Sequence, residues 1–170
     1  MNGLGVNPVY DAIRSRRVTR RMSEQPVDPD LLALVVSAAG WAPNAGNRRL
    51  QPVRAVTDTV TLHLLKAISP GMVPTPRAVI VICLDTTRAE EFGFQPGHRG
   101  LYIDIGTTAA TLLLAAHSVG LGACPVTSFS RAAAARILTL PGGMSPEMFI
   151  CLGYPTQAQP APLSALPSYP

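Results

Sequence analysis

Aromatic side chains make up only 5% of the 170 residues, and charged ones only 14%. A general nucleic-acid binder spreads Lys and Arg over a surface and interleaves aromatics with them. Both shortages argue against that role. No apolar run reaches the roughly 18 residues that a membrane helix needs. The opening MNGLGVNPVYDAIRSRR lacks the basic-then-apolar pattern of an export signal, so the expected location is the cytoplasm. GxGxxG, a P-loop and GxSxG are all missing, which argues against the common dinucleotide fold and the serine hydrolases. Cys83, Cys124 and Cys151 are odd in number, form no CxxC and each sits in apolar sequence; they read as buried thiols in a reducing compartment. His63, His98 and His117 are scattered, so no metal site is expected.

What is present is mostly apolar. The apolar share is 47% and the mean hydropathy +0.24, more than a small monomer usually exposes, which points to a homo-oligomer. The length suits one domain over 1–170, with a core at about 8–155 and an extended Pro-rich tail over 156–170. A first helix is expected from about Asn7 to Ser15, with Pro8 in its first turn. A second follows Asp28 as N-cap and ends at Gly40, with Leu31, Leu34, Val35 and Ala38 as its apolar stripe. Strands are expected at 53–57, at AVIVICL (78–84), at GACPV and at MFICLG. Helices are expected around Leu62 to Ile68, from Gly100 to Val119 and over SRAAAARIL, capped by Ser130. The Gly100–Val119 helix is apolar nearly all round and is therefore placed centrally. Residues 85–99 read as irregular. Two helices precede the first strand, so the class is α+β around one sheet rather than a strand-first parallel fold.

Three segments offer chemistry. RSRRVTRR puts five arginines between Arg14 and Arg21, and five of the 14 basic residues therefore lie before residue 22. Guanidinium forks leaving a helix end can share one oxyanion, with phosphate the natural guest; a solvated basic turn is the alternative. WAPNAGNRRLQP follows the second helix. Asn44, Asn47 and Gln51 there could pair with a heterocycle edge that shows both donors and acceptors, or could satisfy only their own turn. GLGACPVTSFS could let backbone approach something flat, with the hydroxyls of Thr127 and Ser128 near its polar edge, or could be only a helix C-cap running into a strand.

Taken in order, Arg16-Arg17-Val18-Thr19-Arg20, Ala42-Pro43-Asn44-Ala45-Gly46-Asn47, Gly120-Leu121-Gly122 and Leu152-Gly153-Tyr154-Pro155 resemble the FMN-dependent nitroreductase family. The order and spacing match over about residues 8–155. The resemblance implies a three-layer α/β/α sandwich, with a mixed, mainly antiparallel sheet around a central apolar helix, in a homodimer with FMN at the interface. It implies that Arg16, Arg17, Thr19 and Arg20 hold the FMN phosphate and ribityl chain. Pro43, Asn44, Ala45, Asn47 and Gln51 would reach the same flavin from the other subunit. Pro125, Val126, Thr127 and Ser128 would face its N5 and O4 edge. The implied reaction is ping-pong, from NAD(P)H through the flavin to a nitroaromatic, quinone or similar small aromatic acceptor. No side chain then has to act as a catalytic base.

Three departures from the family pattern stand out. Val18 replaces the usual Ser after the paired arginines, RRLQP is longer than the usual segment after GNR, and no basic residue follows Arg136. The last of these leaves a second reading open, a fold of this kind that binds FMN weakly or not at all and acts as a non-catalytic binding protein. Phe92, Phe94 and His98 either line the entrance to the flavin or pack their own loop.

Overall fold

The computed structural model describes residues 7–156, so the Pro-rich tail beyond Thr156 lies outside the described residues. Its centre is a four-stranded antiparallel sheet in the order β1-β2-β4-β3, from β1 (Val53–Val56), β2 (Ala78–Asp85), β3 (Gly122–Val126) and β4 (Met144–Gly153). β2 and β4 occupy the middle. AVIVICL is unbroken in apolar character because both of its faces are covered, and successive side chains point to opposite faces. Ile80, Ile82, Leu84, Ile150 and Leu152 enter one core with α2 (Pro29–Ala38) and α5 (Arg99–Ser118). Val79, Val81, Cys83, Phe149 and Cys151 enter a second core with α3 (Thr59–Ala67) and α6 (Arg131–Ile137). The result is three layers, helix on sheet on helix. Within the named strands all pairing is antiparallel; the parallel component is a single bridge from Val18 to Ala123.

Most helix starts follow the local sequence. Asn7 caps α1 (Pro8–Ser15), Asp28 caps α2, Asp58 caps α3 and Ser130 caps α6, each through a side-chain oxygen on a first-turn N–H. α3 begins three residues before the expected position, at Thr59, because Asp58 supplies the cap. Residues 85–99 are not wholly irregular: Asp85 closes β2 and also caps α4 (Thr86–Glu91). That short helix has no apolar repeat to announce it. The stripe on α2 is rotated from the expected one. Leu32 and Val35 are buried and Leu34 is exposed, since PDLLALVVSA is apolar on nearly every side and packing against α5 picks the face.

α5 is the longest helix. Its buried face runs Leu101, Asp104, Ile105, Thr108, Ala109, Leu112 and Ala116, while Tyr102, Ile103 and Ala110 on the other side are exposed in the single chain. α1 buries none of its residues, although Val9, Tyr10 and Ile13 are apolar. Among the described residues no helix is long and apolar enough to cross a membrane. All three cysteines are buried free thiols; burial pushes Cys83 up to about 11 and raises Cys124 and Cys151 as well.

Candidate functional site

α1 stops at Ser15 because Arg16 turns to extended backbone. The chain then runs along the free edge of β3 and the end of β4. Val18 bridges Ala123, the Thr19 N–H donates to the Ala123 carbonyl at 2.9 Å, and Met22 bridges Pro155. The Ser23 N–H donates to Tyr154 O at 2.8 Å, and the Thr156 N–H donates to Arg21 O at 3.2 Å. Three of the four sequence segments, the arginines, GLG and LGYP, are thus laced into one strip. Thr19 is 8% exposed and packs on Gly122, where an added Cβ would lie 2.6 Å from its methyl carbon. Its side chain therefore faces the protein interior.

The arginines divide the work. Arg17 Nη1 donates to the carbonyls of Arg14 and Arg16, which folds it onto its own turn. Arg20 and Arg21 are exposed and Arg16 is half-buried. Among the described residues the ion pairs are Arg77–Glu24 and Arg131–Glu147, so Arg16, Arg20 and Arg21 have no carboxylate partner there. Arg20 is near enough to Cys124, in the middle of β3, to act on it electrostatically. Pro125 is half-buried, Val126 buried, and Thr127 and Ser128 exposed. Surplus positive charge next to exposed hydroxyls suits a phosphate ester.

His117, near the end of α5, joins this strip. Its Nε2 lies 2.7 Å from Ser15 Oγ, whose own hydrogen goes to the Asp11 carbonyl at 2.6 Å. The imidazole must therefore be the donor in that contact. Partial burial, then the neighbouring Arg16 and Arg17, lower the His117 pKa below its ordinary value. Sequence reading missed this residue; the contact spans 102 positions and no local motif signals it.

The loop over 42–51 is elsewhere. The Ala45 N–H and Gln51 Nε2 both donate to Asp104 Oδ2, at 3.0 and 3.3 Å, and Thr107 Oγ1 donates to the Pro43 carbonyl at 2.8 Å. Asn44 spends both ends of its amide locally, on the Ala42 carbonyl and the Arg49 N–H. Pro43 and Asn47 are exposed, and Gly46, Asn47 and Arg49 all have positive φ. Beside the loop is a cleft of about 330 Å³ lined by Ala39, Asn44, Arg49, Gln51 and Thr108. Asp104 and His117 are thirteen residues apart on one helix, so the two halves of the candidate site are separated by about 20 Å of α5. One chain does not bring them together.

Of the aromatics of 85–99, Phe94 and His98 pack within their own loop, ring edge to ring at 5.2 Å, whereas the Phe92 ring lies against Arg48 of the 42–51 loop, 4.1 Å from its guanidinium. His98 also caps α5 through Nδ1.

The family model described as Nitroreductase family matches residues 13–72 and 75–154. A protein of Methanothermobacter thermautotrophicus described as a putative NADH dehydrogenase/NAD(P)H nitroreductase is 27% identical over 155 residues, covering 88% of this chain and 78% of that protein. The crystal structure of a protein from Parabacteroides distasonis, described in the same words, superposes with a TM-score of 0.79 at 27% identity, covering 89% of each chain. The NADPH:FMN oxidoreductase from Vibrio harveyi, complexed with NAD+, shares the fold at a TM-score of 0.77 and 23% identity, covering 89% of this chain and 70% of that one.

Proposed function

The chain belongs to the nitroreductase family, and from that premise we propose that it is an FMN-dependent oxidoreductase working as a homodimer on NAD(P)H and a small aromatic acceptor. The observation that carries the reading is the split site. The arginine strip at one end of α5 and the Pro43–Asn47 loop towards the other are each incomplete, and a second copy related by a two-fold axis, its α5 antiparallel to the first, would bring each against its complement. The exposed apolar side chains of α1, Trp41 at 86% exposure and Ile103 at 65%, give such a copy a surface to cover.

Arg16 and Arg20, with no carboxylate partner among the described residues, would hold the FMN phosphate. Arg17, anchored on two carbonyls, would keep the strip in shape while adding charge. Neutral His117 ties the strip to α5 through Ser15. The β3 exit, from Pro125 to Ser128, would set backbone against the flavin edge, and Asn47 of the second copy would close the other side. Bound FMN would supply the hydride chemistry, receiving from NAD(P)H and delivering to an electron-poor ring such as a nitroaromatic or quinone. The chain's own part is to orient the two reactants over one face and to exclude water; no acid or base is required of it.

The lack of Lys or Arg after Arg136 in the sequence, the locally spent amide of Asn44 and the commitment of Gln51 Nε2 to Asp104 favour one alternative, a family member that holds flavin weakly and does not turn over. Visible absorption of the purified protein after loading with FMN and desalting separates the two readings. Flavin bands at about one per chain that bleach with NAD(P)H support the enzyme. Failure to retain flavin at any loading concentration supports the alternative.

A further inference from the structure

Asp104 is the sole acid in the twenty-residue helix α5, and it is only 6% exposed. Burying a carboxylate is unfavourable unless something compensates it. No Lys, Arg or His among the described residues pairs with it. Its side chain instead accepts from two neutral donors, the Ala45 N–H and Gln51 Nε2, and both belong to the loop. Thr107, one turn along the same face, shares its hydroxyl hydrogen between the Asp104 and Pro43 carbonyls.

The stretch between Ala45 and Gln51 contains backbone that needs holding. Gly46 has φ +59, and Asn47 and Arg49, which carry side chains, have φ +53 and +52. Left-handed backbone at non-glycine residues persists only where the surroundings over-determine it. Asn44 Oδ1, accepting from the Arg49 N–H, is one such constraint, and Arg88 Nη2, donating to the Arg48 carbonyl at 3.5 Å, is a second. Asp104 is the one bonded near both ends of the stretch.

We propose that Asp104 is a positioning residue that holds the 43–49 loop in its flavin-receiving shape before any flavin arrives. The inference rests on the FMN reading and deepens it: the loop's contribution to binding is pre-organisation, supplied by an acid that never touches the cofactor.

The test uses the full chain and two readouts. Arg48 and Arg49 make the loop a trypsin target, so the FMN-free wild type, Asp104→Ala and Asp104→Asn are digested side by side and the cut sites mapped. Asp104→Ala is expected to be cut after Arg48 or Arg49 about tenfold faster than wild type, with other sites unchanged. Asp104→Asn, whose amide oxygen can still accept both bonds, is expected to stay within about threefold. In FMN titrations Asp104→Ala should weaken Kd by about 10- to 100-fold and Asp104→Asn should restore most of it. Should Asp104→Ala fail to fold, Gln51→Ala removes one of the two bonds and is expected to give a smaller change of the same kind. Equal trypsin rates in wild type and Asp104→Ala overturn the inference, as does a loosened loop with unchanged FMN affinity. A wild type that retains no FMN overturns the cofactor reading instead, and it is read in a different sample.

Discussion

Replacing Gly122 by alanine tests how the arginine strip is docked. Gly122 is buried at the start of β3, and the new Cβ would lie 2.6 Å from Thr19 Cγ2 and 2.7 Å from both Thr19 Cβ and Oγ1. Contacts that short do not survive, so something must shift. Rotating the threonine does not help, because its Cβ is itself within the clash. Moving the backbone breaks the 2.9 Å bond from the Thr19 N–H to the Ala123 carbonyl. Overpacking costs about 1–3 kcal/mol. Loss of that hydrogen bond adds about 1 kcal/mol, while the entropy gained by removing a glycine returns about 0.4–1 kcal/mol. Gly122→Ala should therefore destabilise the fold by about 1–3.5 kcal/mol in urea titrations. FMN affinity should fall with it, since Arg16, Arg17 and Arg20 flank the displaced residue. Thr19→Ser or Thr19→Ala keeps the offending Cβ and should not rescue; Thr19→Gly should restore stability in the double variant. A Gly122→Ala protein with wild-type stability and FMN binding, or one rescued as well by Thr19→Ala as by Thr19→Gly, would refute the docking.

Further outcomes follow from the same geometry. Arg16→Ala and Arg20→Ala should each raise the FMN Kd by about 10- to 150-fold, the value of one charge-assisted contact, with little change in melting temperature. His117 has a folded pKa below its unfolded value of 6.5, so the unfolded chain binds the proton first; stability of the FMN-free protein should fall as pH drops from 6.5 through the lowered folded pKa, and His117→Gln should flatten that decline in urea titrations. Arg131→Ala should lower stability by about 1–3 kcal/mol, because Glu147, 6% exposed, would keep only its 2.6 Å bond from Ser145 Oγ; Arg131→Ala/Glu147→Gln should recover part of it.

Much of the fold is legible in the sequence, and the exceptions have physical causes. Asn7, Asp28, Asp58 and Ser130 are local capping signals, and α1, α2 and α6 start within a residue of where they were expected. AVIVICL is unmistakable because both of its faces are buried. The face of α2 was not readable, since Leu31, Leu32, Leu34, Val35 and Val36 are interchangeable in a hydrophobicity pattern and only contact with α5 selects among them. α4 was hidden because its one strong signal, Asp85, also ends a strand.

The site divides along the same line. Segments such as Arg16–Arg20 are visible as motifs, yet the side chains that hold them are not. Asp104 could have been noticed as a lone acid on the face that runs Leu101, Ile105, Thr108 and Leu112, where an unpartnered charge has no business unless something bonds to it. His117 gives no such cue. The direction of Thr19 into the protein follows from a bridge between residues more than a hundred positions apart, which no local pattern encodes.

Mixing two defective proteins tests most directly the claim that two copies build each FMN site. One carries Arg16→Ala/Arg20→Ala, the other Ala45→Asp/Asn47→Asp, and neither alone is expected to retain flavin. After subunits are exchanged in mild denaturant and recovered, random pairing makes half the dimers mixed, each with one intact site. The predicted result is FMN retained at about a quarter of the wild-type level. No recovery on mixing, with each protein folded and dimeric, would contradict the account.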